Sequence, residues 1–563
     1  MIIKVIKIIT FENCSLIKGA FVLKKKQFTV FVLFGIFFAL LGGEKNIVER
    51  RTTMDYGILS LLPIVLTIIL AMWLKNISIA LFVGAFAGLL IMSGGNPIAA
   101  IMSYVIDHLV PNMVDSYCAE VLILLIFIGG FVKLLEVSGG AHAFASSVTK
   151  FVNSRAKAQM AGWLAGIIVF FSDIGSPIIA GPIIQPLTDK MKVSREKLAW
   201  ILDTTASPLS ILVPFLGWGA YIMGLMGAEF QAIGYEATEW DMLLKAWPFQ
   251  YYALLSLLMV PLVAFTRKEF GPMYRAEKRA LAGQVSPGGN VAEVVKVDTE
   301  AKLENSRPMV MAIPLIVMIG TLCLILVPQG FPFNSVDGNQ LRGALVAGFV
   351  FGSVANIILV VLLKIKSLKS ICMDYVAGLE SVASVFITLL LAWVLSSVTK
   401  AMGGPEFVVN MLQDNVPAWI LPVIIFVASA IISFSTGSSW GTFSIMMTIA
   451  VPAAVALNAP MHLAIAAVLS GGLFGDHCSP ISDTTILSAN GARCDLLEHV
   501  KTQLPYALMV GCVTIVTYAI AGLTNGNVIV LAVGIVLLVA TVMVLSKLYG
   551  KKITEAAEAA AAE

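Results

Sequence analysis

Residues 462–490 read HLAIAAVLSGGLFGDHCSPISDTTILSAN. Both ends of this run suit a membrane helix. Its middle, Gly475-Asp-His-Cys-Ser-Pro-Ile-Ser-Asp-Thr-Thr485, instead holds two carboxylates, a proline and four hydroxyl residues. Proline removes a backbone donor and clashes with the preceding turn, and an aspartate at the bilayer centre costs at least about 2.5 kcal/mol on insertion scales. A helix accepting both is open in the middle, with freed carbonyl oxygens beside hydroxyls and a carboxylate. Such a break inside an apolar span is how a helical transporter builds a site at the membrane midplane.

The rest of the chain agrees. Of its 563 residues, 58% are hydrophobic and 13% charged, with a mean hydropathy of +0.91, against roughly 25% charged in a soluble domain. Apolar runs at 57–74, 77–93, 119–137, 159–180, 198–226, 248–266, 309–328, 341–363, 376–398, 417–457, 462–490, 504–522 and 528–546 read as roughly 12 to 14 crossings, several of them interrupted. These are continuous runs, not the short alternating segments of a β-barrel. The fold class is therefore all-α, integral to the lipid bilayer and polytopic. A net charge of +3 and the lack of any basic stretch interleaved with aromatics argue against a nucleic-acid partner. The seven cysteines are scattered and read as small packing residues.

Organisation follows from charge and repetition. Residues 1–53 form an N-terminal extension with a short apolar run, either an anchor or a stretch upstream of a start at Met54. A polar stretch at 267–307 separates a first transmembrane repeat, 54–266, from a second, 308–500; helices and a tail at 501–563 complete the chain. Basic loops stay in the cytoplasm. That places the linker there, with Lys364, Lys366 and Lys369, and with Lys551-Lys552 if 417–457 crosses twice. Three anchors relate the halves in one order: Leu124–Gly140 with Thr388–Gly404, Phe171-Ser172 with Phe434-Ser435, and Asp203-Thr-Thr-Ala-Ser-Pro-Leu-Ser210 with Asp476-His-Cys-Ser-Pro-Ile-Ser482.

The chemistry lies in the same places. Asp173, Asp203, Asp476 and Asp483 each stand in an apolar run beside a proline or glycine. With Ser207, Ser479, Ser482 and Thr484, and with Thr436, Ser438 and Ser439 around Gly437, they supply a hard, all-oxygen shell that suits sodium. The bland alternatives are helix caps for the aspartates, notably Asp203, and close packing of small residues for 433–442. Burial favours the protonated form of a carboxylate and a bound cation favours the ionised form, so competition at one aspartate couples sodium to protons. His477 titrates in a range suited to sensing pH, or is simply a bonded polar residue. Glu136 and Glu380 read as structural, Glu136 as a partner of Lys133. A zinc site from His477, Cys478, Cys494 and His499 lacks a familiar spacing, and an ATP-driven pump lacks any phosphate loop. No cofactor, enzymatic constellation or metal other than transported sodium is expected.

The Asp476 segment, Ser435-Thr-Gly-Ser-Ser-Trp-Gly-Thr-Phe443, and Asp203-Thr-Thr-Ala-Ser-Pro208 followed by Val213-Pro and Trp218-Gly resemble the NhaC family of sodium/proton antiporters, part of the ion transporter superfamily, over about residues 54–546. The resemblance implies a multi-pass protein of a prokaryotic cell membrane, with repeats of opposite topology and discontinuous helices, exchanging Na+ for H+. It equally implies an alternative: a sodium- or proton-coupled exchanger of an organic anion or amino acid, of malate/lactate type. Whether the protein is a homo-oligomer is left open by the sequence.

Overall fold

The computed structural model describes residues 56–74, 76–148, 152–287, 306–331, 338–405, 407, 410 and 416–550. The N-terminal extension, residues 288–305 of the polar linker and Lys551-Lys552 lie outside them. Among the described residues the chain is helical throughout, and ten helices are long and apolar enough to cross a membrane, or eleven if one bent pair counts as a single span. The protein is a polytopic helical membrane protein.

In order the helices are α1 (Gly57–Leu74), α2 (Ile77–Met92), α3 (Pro97–Val114), α4 (Ser116–Val137), α5 (Gly140–Val148), α6 (Arg155–Ile168), α7 (Gly181–Lys190), α8 (Arg195–Thr204), α9 (Gly217–Ile233) and the bent pair α10 (Glu239–Phe249) and α11 (Tyr251–Thr266). After them come α12 (Gly271–Leu281), α13 (Met309–Gln329), α14 (Gly338–Leu362), α15 (Leu368–Ala401), α16 (Ala418–Thr436), α17 (Ser439–Ala456), α18 (Met461–Cys478), α19 (Asp483–Gly491), α20 (Leu496–Leu523) and α21 (Val530–Tyr549). The count differs from the sequence reading for two reasons. The runs at 159–180, 198–226 and 462–490 are each split into shorter helices, whereas 417–457 holds two helices joined at Gly437-Ser438. Conversely, α3 was not anticipated, because Asp107, His108 and Asn112 lower its mean hydropathy to 1.2.

One succession of elements occurs in both halves: a helical hairpin followed by a broken helix. In the first half α6 turns at 169–175 and returns as α7, with Gly162 facing Ile184, positions equally far from Asp173. The chain then breaks between α8 and α9, where Ala206 leaves helical geometry at φ −88°, ψ −102° ahead of Pro208. In the second half α16 and α17 form the hairpin. The break between α18 and α19 begins at Ser479, extended at φ −80°, ψ 131°, ahead of Pro480. Phe171-Ser172 and Phe434-Ser435 thus fall at the two hairpin tips, and the two Asp-led motifs fall at the two breaks.

Packing brings these elements together. Helices α16 and α18 run side by side in one direction. Gly471 lies against Phe426 and Ser429, and Gly475, one turn on, against Ala430 and Ser433; a Cβ on Gly475 would stand 2.3 Å from the Phe434 nitrogen. Gly437 ends α16 in the left-handed region at φ +65°, with the Ile481 backbone 2.9 Å from where its Cβ would be. The second hairpin tip is therefore seated on the second helix break. The start of the returning arm of the first hairpin, at Pro177 and Gly181, abuts Gly491 of α19. Gly437→Ala meets both a left-handed backbone and this contact, and is expected to destabilise by about 1–3 kcal/mol. A lower melting temperature in detergent checks this, and an unchanged one would mean the tip is not held on the break.

Candidate cation site

The two breaks meet at Asp476, in the last turn of α18 and 6% exposed. Its Oδ1 accepts from the Ser482 hydroxyl at 2.8 Å and its Oδ2 from the Ser207 hydroxyl, of the other half, at 3.0 Å. Thr484 Oγ1 lies between the same two serines, 3.3 Å from Ser207 and 3.1 Å from Ser482. Three hydroxyl oxygens from both halves thus surround one carboxylate.

A comparison of buried charges singles this group out. Glu196, Glu239, Glu269 and Glu277 are buried and each pairs with a cation: Arg279, Arg342, Lys197 and Arg155 respectively. Asp203, fully buried, faces His499 Nε2 at 3.4 Å. Among the described residues only Asp476 and Glu229 are buried carboxylates with no such partner. An ion taken out of water without a counter-charge costs several kcal/mol. A proton or a bound cation removes that penalty.

The other sequence-predicted residues divide into groups. Asp203 does not cap its own turn. It accepts from Gln503 at 2.7 Å, Thr485 at 3.1 Å and Ser488 at 3.4 Å, all from the second half of the chain. The His477 ring is bonded on both nitrogens, to Thr204 at 3.2 Å and Tyr252 at 2.9 Å, and its carbonyl accepts from Gln503. Asp173, at the first hairpin tip, accepts from Trp218 Nε1 at 3.1 Å. Asp483 opens α19 and is exposed.

The remaining hydroxyls serve the backbone. Thr436 donates to the Ile432 carbonyl at 2.9 Å, Ser439 to Gly472 at 3.2 Å and Ser479 to Phe434 at 2.8 Å, while Ser438 caps α17 by accepting from the Gly441 nitrogen. Inside a membrane every broken backbone bond must be satisfied by the protein, and these side chains do that at the tip and the break.

Gln503 was missed, and His499, Glu136, Trp218 and Trp440 take places that the sequence alone did not give them. Gln503 and His499 sit one turn apart on α20, a spacing that already marks a shared face. Glu136 does pair with Lys133, at 3.7 Å, but it also accepts from Ser172 at 2.7 Å, which ties it to the first hairpin tip. An aromatic cluster adjoins that tip: Trp218 and Trp440 at 4.8 Å, Tyr221 and Trp440 at 4.7 Å, with the Tyr221 hydroxyl donating to the Trp440 carbonyl.

The family model described as the Na+/H+ antiporter family matches residues 211–523, over half the chain and including the Asp476 break. The chain belongs to this family. An uncharacterized protein of Haemophilus influenzae is 32% identical over 490 residues, covering 83% of this chain and 91% of that one. The Na+/H+ antiporter NhaC of Bacillus subtilis is 29% identical over 155 residues, 27% of this chain and 34% of its own length, in keeping with the NhaC resemblance. Among solved structures, MtrF of Neisseria gonorrhoeae, from a class of antimetabolite efflux pumps, superposes with a TM-score of 0.54 at 14% identity, over 86% of this chain and 97% of its own. That likeness concerns the fold alone. Membership makes this antiporter-family chain a secondary transporter.

Proposed function

We propose that the protein exchanges sodium for protons across a prokaryotic cell membrane, with Asp476 as the exchanging group. The observation that carries this reading is a buried carboxylate without a cationic partner, held between the two halves by Ser207 and Ser482. Both serines spend their protons on the carboxylate and keep oxygen lone pairs. With Thr484 they offer sodium several hard oxygens beside one negative charge. When the cation leaves, the uncompensated carboxylate takes up a proton, so the two ligands exclude each other. Because Ser207 belongs to one break and Ser482 and Thr484 to the other, movement of one half against the other alters the shell and exposes it. Asp203, with Gln503 and His499 behind it, holds the break in place.

Vesicles containing the protein and a pH gradient provide the test. External sodium, potassium or lithium is added and internal pH recorded. A sodium-dependent proton flux supports the reading, and no flux with any cation from folded protein sinks it. Ser207→Ala removes a hydrogen bond to a charged group, worth about 1.5–3 kcal/mol, and is expected to raise half-saturating sodium by roughly tenfold or more. An unchanged value would take Ser207 out of the shell. One observation favours the organic-anion alternative: Lys133, through Glu136 and Ser172, stands beside the first hairpin tip. It becomes the leading reading if flux needs an organic acid as well as sodium.

A further inference from the structure

We infer that Glu229 is a second proton-binding site, separate from the exchange at Asp476. Glu229 lies on α9 and is 5% exposed. Its polar neighbour on α15 is Ser396, itself 9% exposed. No basic side chain among the described residues lies within ion-pair distance of it, unlike Glu196, Glu239, Glu269 and Glu277.

The charged and titratable groups around it are accounted for. From α15 comes Lys400, one turn beyond Ser396 and exposed. Next to Ser396, Ser397 is bonded to His108 of α3 at 2.8 Å. From α4, Tyr117 donates its hydroxyl to the Met223 carbonyl, and Glu120 pairs with Arg342 at 2.8 Å. From α10, Glu239 is taken by the same Arg342. Helix α17, which also packs on α9, carries no charged residue. None of these supplies Glu229 with a counter-charge at contact.

A proton fits the site and sodium does not. Hard cations gather about six oxygen ligands, as the hydroxyls around Asp476 begin to do. Glu229 has one hydroxyl, and its neighbours a turn away on α9, Leu225, Met226 and Ile233, are apolar. A neutral carboxylic acid needs only one hydrogen-bond partner and avoids the cost of a buried ion. Sliding of α9 along α15 would bring the carboxyl toward Lys400 and water, where ionisation is favoured. Glu229 then takes up and releases a proton with the movement, independently of which ion occupies Asp476.

Infrared spectra of the purified full-length protein at neutral pH test this without relying on transport. Subtracting the Glu229→Gln spectrum from wild type should reveal a protonated carboxylic C=O band that sodium does not remove. In vesicles the same variant should keep sodium-dependent flux but lose part of the wild-type pH dependence. Loss of a carboxylate band instead, or an unchanged pH profile, would overturn the inference. Should Glu229→Gln not fold, Ser396→Ala must shift the carboxylic band, and no shift is equally fatal. Because Asp476→Asn leaves this band in place, failure at Asp476 and failure at Glu229 are told apart.

Discussion

Vesicles carrying Asp476→Asn are expected to show no sodium-dependent proton flux, from a protein that melts no lower than wild type. The two halves of this expectation have one cause. Asp476 is a buried charge with no cation at hand, so the ionised form is costly until sodium or a proton arrives. Asparagine keeps an oxygen to accept from Ser482, and its amide can donate to Ser207. It removes the charge, and with it both ligands. The loss of sodium binding should be about 2–5 kcal/mol, the scale for deleting one side of a buried charge pair. Thermal melts check this directly. Sodium at 100 times the wild-type Kd should stabilise wild type by about 2.7 kcal/mol, and the variant by less than about 1 kcal/mol. Persistent flux would pass the role to Asp173 or Asp203. A collapse in stability would make Asp476 a structural residue.

The broken helices were legible because proline, glycine and aspartate have no other good reason to interrupt an apolar run. The pairing at the site was not. Ser207 and Asp476 are 269 residues apart and Gln503 and Asp203 are 300 apart, and nothing local in either segment announces the other. Nor does a hydroxyl announce its acceptor. Ser479 and Ser482 stand three positions apart in one motif, yet one donates to the Phe434 carbonyl and the other to Asp476. Only the parallel packing of α16 on α18 makes that difference. Glu229 lies just past the apolar run at 198–226 and was not singled out, and its lack of a counter-charge becomes visible only once its neighbours are in place.

Lys197→Ala is expected to destabilise the protein by about 3–5 kcal/mol, the usual cost of leaving one member of a buried ion pair alone. Lys197 and Glu269 are 0% and 2% exposed and pair at 2.9 Å. The ammonium also lies 4.5 Å over Trp200 and 5.3 Å from the Tyr506 ring. Without it Glu269 keeps the Tyr506 hydroxyl and nothing of opposite charge. The pair joins α8 to the segment leading into α12, where Arg279–Glu196 makes the same connection and Arg155–Glu277 joins α6 to α12, both at 2.6 Å. Replacing both partners, as Lys197→Met with Glu269→Leu, removes the stranded charge, and such exchanges are often neutral or stabilising. The double variant should therefore melt well above Lys197→Ala. This pair also controls for the sites above. If Lys197→Ala melts like wild type, an unpaired buried charge costs this fold nothing, and the missing counter-charge at Asp476 and Glu229 no longer marks them out. If it melts as expected while Asp476→Asn does not, the two kinds of carboxylate differ in purpose: one set neutralised by the protein, the other left for an ion to neutralise.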